Sequence, residues 1–100
     1  MPHTAYIVDC VRTPGGKKNG SLREWHPADL GATVINALLD RTGIDGSLVE
    51  DVVFGCVSQV GSQSSNVGRN AVLSSKLPET VPATTVDRQC GSSQQALHFA

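Results

Sequence analysis

No apolar stretch in this 100-residue sequence runs uninterrupted for the length needed to cross a membrane. The opening Met1-Pro2-His3-Thr4-Ala5-Tyr6 also lacks the charged and apolar parts of a secretory leader, so a cytoplasmic protein is expected. Without such a leader the glycosylation-type triplet Asn19-Gly20-Ser21 carries no weight. An excess of either charge is missing too. Eight Lys and Arg stand against nine Asp and Glu, for a formal net charge of −1, and Lys17-Lys18 is the only basic doublet. A nucleic-acid partner is therefore not expected. The three cysteines, Cys10, Cys56 and Cys90, contain no C-x-x-C pair, which leaves neither a zinc site nor a disulfide framework. The glycines between Gly15 and Gly20 match neither the phosphate-loop pattern nor the dinucleotide-binding pattern, and the segment reads as a solvated loop. No repeat of solenoid length is visible.

What is present is an alternation of strand and helix signals in a chain sized for one domain with a single core. Tyr6-Ile7-Val8-Asp9-Cys10-Val11 has the β-branched and aromatic content of a strand and is stopped by Thr13-Pro14-Gly15-Gly16. Pro27, Asp29 and Gly43 bracket a helix over about residues 27–42, whose apolar stripe is Leu30, Val34, Ile35, Leu38 and Leu39. The continuous apolar run Val52-Val53-Phe54-Gly55-Cys56-Val57 suits a parallel strand covered on both faces. After a polar loop over residues 58–65, Asn66 caps a helix from Val67 to about Lys76, before Pro78 forbids continuation; Arg69 and Lys76 are expected to face solvent. Ala83-Thr84-Thr85-Val86 is the third strand, Asp87-Arg88-Gln89 a turn, and Cys90 opens a third helix. The order β-α-β-α-β-α predicts an α/β fold with a mostly parallel sheet and right-handed crossovers. The final helix carries no closing glycine or proline before Ala100, so residues 1–100 read as part of a domain cut within that helix.

Cys90 stands out by its place. Functional groups of parallel sheets gather at the carboxyl ends of strands, and the unpaired N–H groups of a helix start favour thiolate over thiol and can donate to an oxyanion. A cysteine after a strand is also, simply, a small buried hydrophobe. Both readings of Cys90 stay open on local sequence, whereas Cys10 and Cys56, inside apolar runs, are expected to be packed, inert strand thiols. His98 lies eight positions along the helix, about 12 Å away by axial rise, and general-base work needs about 3 Å. His3, His26 and His98 are accordingly assigned to packing or surface.

Three groups of residues together resemble the thiolase family, the acetyl-CoA C-acyltransferases. They are Val11-Arg12-Thr13-Pro14-Gly15-Gly16 with Gly20-Ser21-Leu22, then the Val52–Cys56 run with Asn66-Val67-Gly68-Arg69-Asn70-Ala71, then Val86-Asp87-Arg88-Gln89-Cys90-Gly91-Ser92-Ser93. The likeness covers essentially the whole chain and is to the N-terminal portion of a thiolase, part of a layered α/β/α/β/α fold. It implies that Cys90 is the nucleophile that carries the acyl group as a thioester, with its backbone N–H in an oxyanion hole. It further implies acyl-CoA and CoA as substrates, no metal or redox cofactor, and a homodimer or homotetramer. The histidine and second cysteine that the family also uses match nothing in this sequence. Gln94-Gln95-Ala96 is similar to thiolases acting on bulkier, sterol-derived or other lipid acyl-CoAs.

Two departures bear on that reading. The family usually has Asn where this chain has Asp87, and a negative charge three residues before the nucleophile opposes thiolate formation unless a cation such as Arg88 neutralises it. It commonly has Gly where this chain has Ser93, which is expected to crowd a close helix contact. These departures favour a non-catalytic, acyl-CoA-binding thiolase-like subunit as one alternative. The serines after Cys90 leave a ketoacyl synthase as another.

Overall fold

The computed structural model describes residues 3–100; Met1 and Pro2, the first residues of the stretch read for a leader, lie outside the described residues. Helix α1 spans Pro27–Thr42, as its signals predict. The His26 imidazole accepts from the Ala28 N–H at 3.1 Å, and Pro27 sits where a helix needs no N–H. Gly43, at φ 67°, closes the helix by donating its N–H to the Leu39 carbonyl at 2.9 Å. A 3-10 turn at Gly46–Leu48 leads into strand β1, Val52–Gly55, and a second at Gly61–Gln63 precedes helix α2, Val67–Ser74. Strand β2, Ala83–Val86, and helix α3, Ser92–Phe99, complete the order.

β1 and β2 pair in parallel, from Val52 opposite Ala83 to Gly55 opposite Val86. Because strand side chains alternate, the paired Phe54 and Thr85 face one side and Gly55 the other. On the first side Phe54 fills the space where α1 and α2 come closest to the sheet: a Cβ on Gly31 would lie 2.8 Å from the Phe54 ring, and one on Gly68 2.8 Å from the Phe54 Cβ. Val72, Leu77 and Val81 form the buried centre of this side, with Ile35, Leu39, Val49, Val52 and Ala83 packed around them. On the other side α3 lies against β1 so closely that a Cβ on Gly55 would come within 2.4 Å of the Ser92 carbonyl carbon and the Ser93 nitrogen. The result is three layers, two helices on one sheet face and one on the other, with the carboxyl end of β2 leading into the segment that contains Cys90.

Asn66 joins α2 to the sheet. It adopts a left-handed conformation at φ 62°, its Oδ1 accepts from the Arg69 N–H at 3.1 Å and from the Thr85 hydroxyl at 2.7 Å, and its Nδ2 donates to the Ala83 carbonyl at 3.0 Å. One side chain therefore caps the helix and registers it on β2.

The structure corrects several expectations. Tyr6–Val11 forms no strand, so the order is α-β-α-β-α; Tyr6, Ile7 and Val8 are 81%, 76% and 83% exposed, and Cys10 is exposed rather than packed. Strand propensity expresses the fit of a side chain to a paired, half-buried surface. Among the described residues no backbone lies alongside this segment to pair with it. Its ties are an ion pair of Asp9 with Arg41 at 3.2 Å and a bond from Arg41 to the Cys10 carbonyl at 3.4 Å. Such exposed contacts contribute only about 0–1 kcal/mol.

β1 ends at Gly55 rather than Val57. The Cys56 N–H still reaches the Val86 carbonyl at 3.0 Å, but β2 ends there, and Val57 has nothing to pair with. Cys56 is half-buried just past the strand. α2 stops at Ser74 because the Ser75 hydroxyl turns back onto the Val72 carbonyl at 2.7 Å and the Lys76 N–H goes to Asn36 on α1 at 2.8 Å. Arg69 does not face solvent: its guanidinium donates to the Val81 carbonyl at 2.7 Å, tying α2 to the entry of β2. Lys76 is exposed as expected and pairs with Asp40 at 3.2 Å.

Two outcomes follow from the packing. Gly55→Ala sets a methyl group against backbone atoms that have no rotamer to yield, so a loss of about 3 kcal/mol, or failure to fold, is expected in denaturant titration. Asn66→Ala removes a cap together with two ties to β2 and is expected to lower stability by about 2 kcal/mol, read from the shift in unfolding midpoint.

Candidate active site

β2 delivers its chain into a tight turn, Asp87 to Gly91, and then into α3. Gln89 sits in the turn at φ 48°, a left-handed conformation that costs a residue with a Cβ about 1–3 kcal/mol and recurs at functional sites. It is held from both sides. The Asp87 carboxylate accepts from the Gln89 N–H at 2.8 Å, and the Gln89 carbonyl accepts from the Ser92 hydroxyl at 2.7 Å and the Ser92 N–H at 3.1 Å. The Arg88 N–H in turn donates to the Ser92 Oγ at 2.8 Å. The Arg88 guanidinium reaches the Gln95 side-chain carbonyl one turn into α3.

Cys90 is exposed and its thiol is free. It does not open the helix: α3 begins at Ser92 with Gly91 as its cap. Two amides that a helix start at Cys90 would leave unpaired are used by the turn, since the Gly91 N–H donates to the Arg88 carbonyl at 3.0 Å and the Ser92 N–H to Gln89. The N–H groups of Cys90, Ser93 and Gln94 have no acceptor among the described residues. The site thus presents one thiol, its own amide and the open end of a helix at the carboxyl edge of a parallel sheet.

Both departures fit the turn sterically, but the Arg88 guanidinium is drawn to Gln95 and makes no ion pair with Asp87, so the neutralisation expected of it is not found. Asp87 acts through one acceptor oxygen, which an Asn would supply equally, and that oxygen is spent on the Gln89 N–H. Ser93 is exposed, and the close helix contact is made by backbone against Gly55 rather than by the Ser93 side chain. His98 is exposed and lines an open groove of about 280 Å³ with Arg88, Gly91, Gln94 and Gln95, while His26 serves as a helix cap and His3 lies at the surface. Cys10 and Cys56 lie on other segments and make no hydrogen bond to the turn. The residue that sequence reasoning passed over is Ser92. It is 4% exposed, the one buried polar side chain among the described residues, and its only signal in sequence is a serine five positions after an Asp in a turn-to-helix junction.

Comparison with known proteins places these elements in a family. Residues 5–100 match the family model described as the thiolase N-terminal domain. A steroid 3-ketoacyl-CoA thiolase of Mycobacterium tuberculosis is 54% identical over 95 residues, covering 95% of this chain and 23% of that protein. A beta-ketoadipyl-CoA thiolase of Acinetobacter baylyi is 48% identical over 101 residues, 100% of this chain and 25% of that protein. The crystal structure of the Bacillus anthracis acetyl-CoA acetyltransferase superposes with a TM-score of 0.76 at 31% identity, over 84% of this chain and 21% of that one. The chain spans about a quarter of the length of the curated relatives it matches. With the α/β layering and the parallel sheet in agreement, the chain belongs to the thiolase family, where it matches the N-terminal domain.

Proposed function

We propose that the full-length protein, to which residues 1–100 contribute part of the N-terminal domain, is a thiolase that moves acyl groups between CoA thioesters through an acyl-cysteine on Cys90. The observation that carries this reading is an exposed, unengaged thiol at the carboxyl edge of a parallel sheet, with its own amide N–H free to meet an oxyanion. The Cys90 thiolate attacks the 3-keto carbon of a 3-ketoacyl-CoA, and the bond between C2 and C3 breaks. Its electron pair leaves with acetyl-CoA as the enolate, which is reprotonated at C2. The thiol of a second CoA then attacks the acyl-Cys90 thioester, releasing acyl-CoA and restoring the thiolate. Dividing one carbon–carbon cleavage into two acyl transfers lowers each barrier, and the scheme balances with CoA as a substrate and no metal or redox group. Run backwards, it condenses two acyl units.

The family likeness implies a histidine that activates Cys90 and a second cysteine that reprotonates C2, and no residue of this sequence matches either. The Gln94-Gln95-Ala96 run and the similarity to a steroid 3-ketoacyl-CoA thiolase support a bulky lipid acyl group, sterol-derived or fatty. Three free thiols fit a cytoplasmic setting that keeps cysteines reduced, and among the described residues no helix is long and apolar enough to cross a membrane. A homodimer or homotetramer is the assembly the family likeness supports.

The test is to trap the intermediate. Full-length protein given labelled 3-ketoacyl-CoA without free CoA, quenched and mapped by mass spectrometry, is expected to carry the acyl label on Cys90. Cys90→Ala is expected to lose the adduct and at least about a thousandfold in turnover. A label on any other residue, or turnover retained by Cys90→Ala, overturns the proposal.

A further inference from the structure

Ser92 is buried beneath the turn with its hydroxyl fully used, accepting from the Arg88 N–H at 2.8 Å and donating to the Gln89 carbonyl at 2.7 Å. The Asp87 carboxylate, at 3.4 Å, is the more distant acceptor, so the single hydroxyl proton belongs to Gln89. The Gln89 carbonyl and the Cys90 N–H are the two ends of one peptide unit, which is planar and trans. In such a unit the C=O and N–H point in opposite directions. Whatever fixes the carbonyl therefore aims the amide.

We infer that Ser92 is a positioning residue for acyl transfer: by pinning the Gln89 carbonyl it holds the Cys90 N–H turned outward, where it meets the oxyanion. The inference rests on the acyl-Cys90 reading above. The other groups at the turn act elsewhere. Asp87 restrains the far side of Gln89 through its N–H, and the Arg88 guanidinium is drawn to Gln95 on α3. The Ser92 N–H shares the same carbonyl at 3.1 Å, a longer contact than the 2.7 Å of the hydroxyl, which makes the tighter of the two bonds. Without the hydroxyl bond that peptide unit is less restrained in rotation, and so is the direction of its amide. The thiol, three bonds from that amide nitrogen, makes no hydrogen bond to the Ser92 hydroxyl.

This division of labour sets the test in the full-length protein. Ser92→Ala is expected to lower kcat and the rate of acyl-Cys90 formation by about 100- to 1000-fold, the range for loss of an oxyanion donor. KM and the rate of Cys90 alkylation by iodoacetamide should stay within about threefold, because ground-state binding and the thiol are left in place. Ser92→Thr, which keeps the hydroxyl, should recover at least tenfold of the loss. The inference is overturned by a folded Ser92→Ala protein that acylates Cys90 at the wild-type rate, by alkylation falling in step with kcat, or by a threonine variant no better than alanine. Should Ser92→Ala not fold, Ser92→Cys, similar in shape and a far weaker donor, takes its place in the comparison of kcat and KM with the same criteria. An acyl label still acquired by Cys90→Ala rejects the nucleophile assignment itself, a result distinct from any given by the Ser92 variants.

Discussion

The seating of one backbone directly on another, α3 on Gly55, governs the geometry of this domain. A strand position without a Cβ lets the first turn of α3 approach until its carbonyl carbon and amide nitrogen occupy the space a methyl group would take. Close packing of this kind transmits position with little slack, because interiors lack the free volume to absorb a shift. The turn that precedes α3 is consequently suspended between two fixed points, the end of β2 held by its parallel ladder to β1 and the helix held by Gly55. Cys90 lies between them, on a segment whose ends have no room to move.

Within that span the polar groups are arranged with little redundancy. Gln89 occupies a backbone region that side chains with a Cβ avoid, and it persists because Asp87 and Ser92 bond its two polar ends. Strained conformations of this sort survive only where the surroundings over-determine them. The turn also consumes the amides of Gly91 and Ser92, on the Arg88 and Gln89 carbonyls, and leaves that of Cys90 open. Asp87 is accommodated sterically because the turn asks it only for a hydrogen-bond acceptor. A helix start at Cys90, which the sequence favours, would have handed all the first-turn amides to one anion; the actual turn selects among them.

Much of the scaffold was legible before the structure. α1 agrees at both ends because its signals are local: a proline at the first position, an acidic first turn and a glycine that adopts the left-handed cap. The Asn66 cap and the strand after Pro82 were read for the same kind of reason. Tyr6–Val11 failed because a strand is a relation between segments, and the pattern of one segment does not report whether a partner stands beside it. Arg69 was misplaced on the assumption that a charged side chain seeks water. It instead satisfies a carbonyl at the entry to β2, a need created only when α2 folds over the sheet.

Local chemistry therefore determined which stretches form helices, where α1 begins and ends, that the class is α/β, and that Cys90 follows a strand. Tertiary contact alone decided that Gly55 bears the weight of α3, that Ser92 lies buried under the turn, and which amides remain unspent beside the thiol. The reason is range. Caps, proline and side-chain periodicity act across a few neighbouring residues and are written in order along the chain. The direction of a single N–H depends on a helix and a strand separated by nearly forty residues, and is set only when they meet.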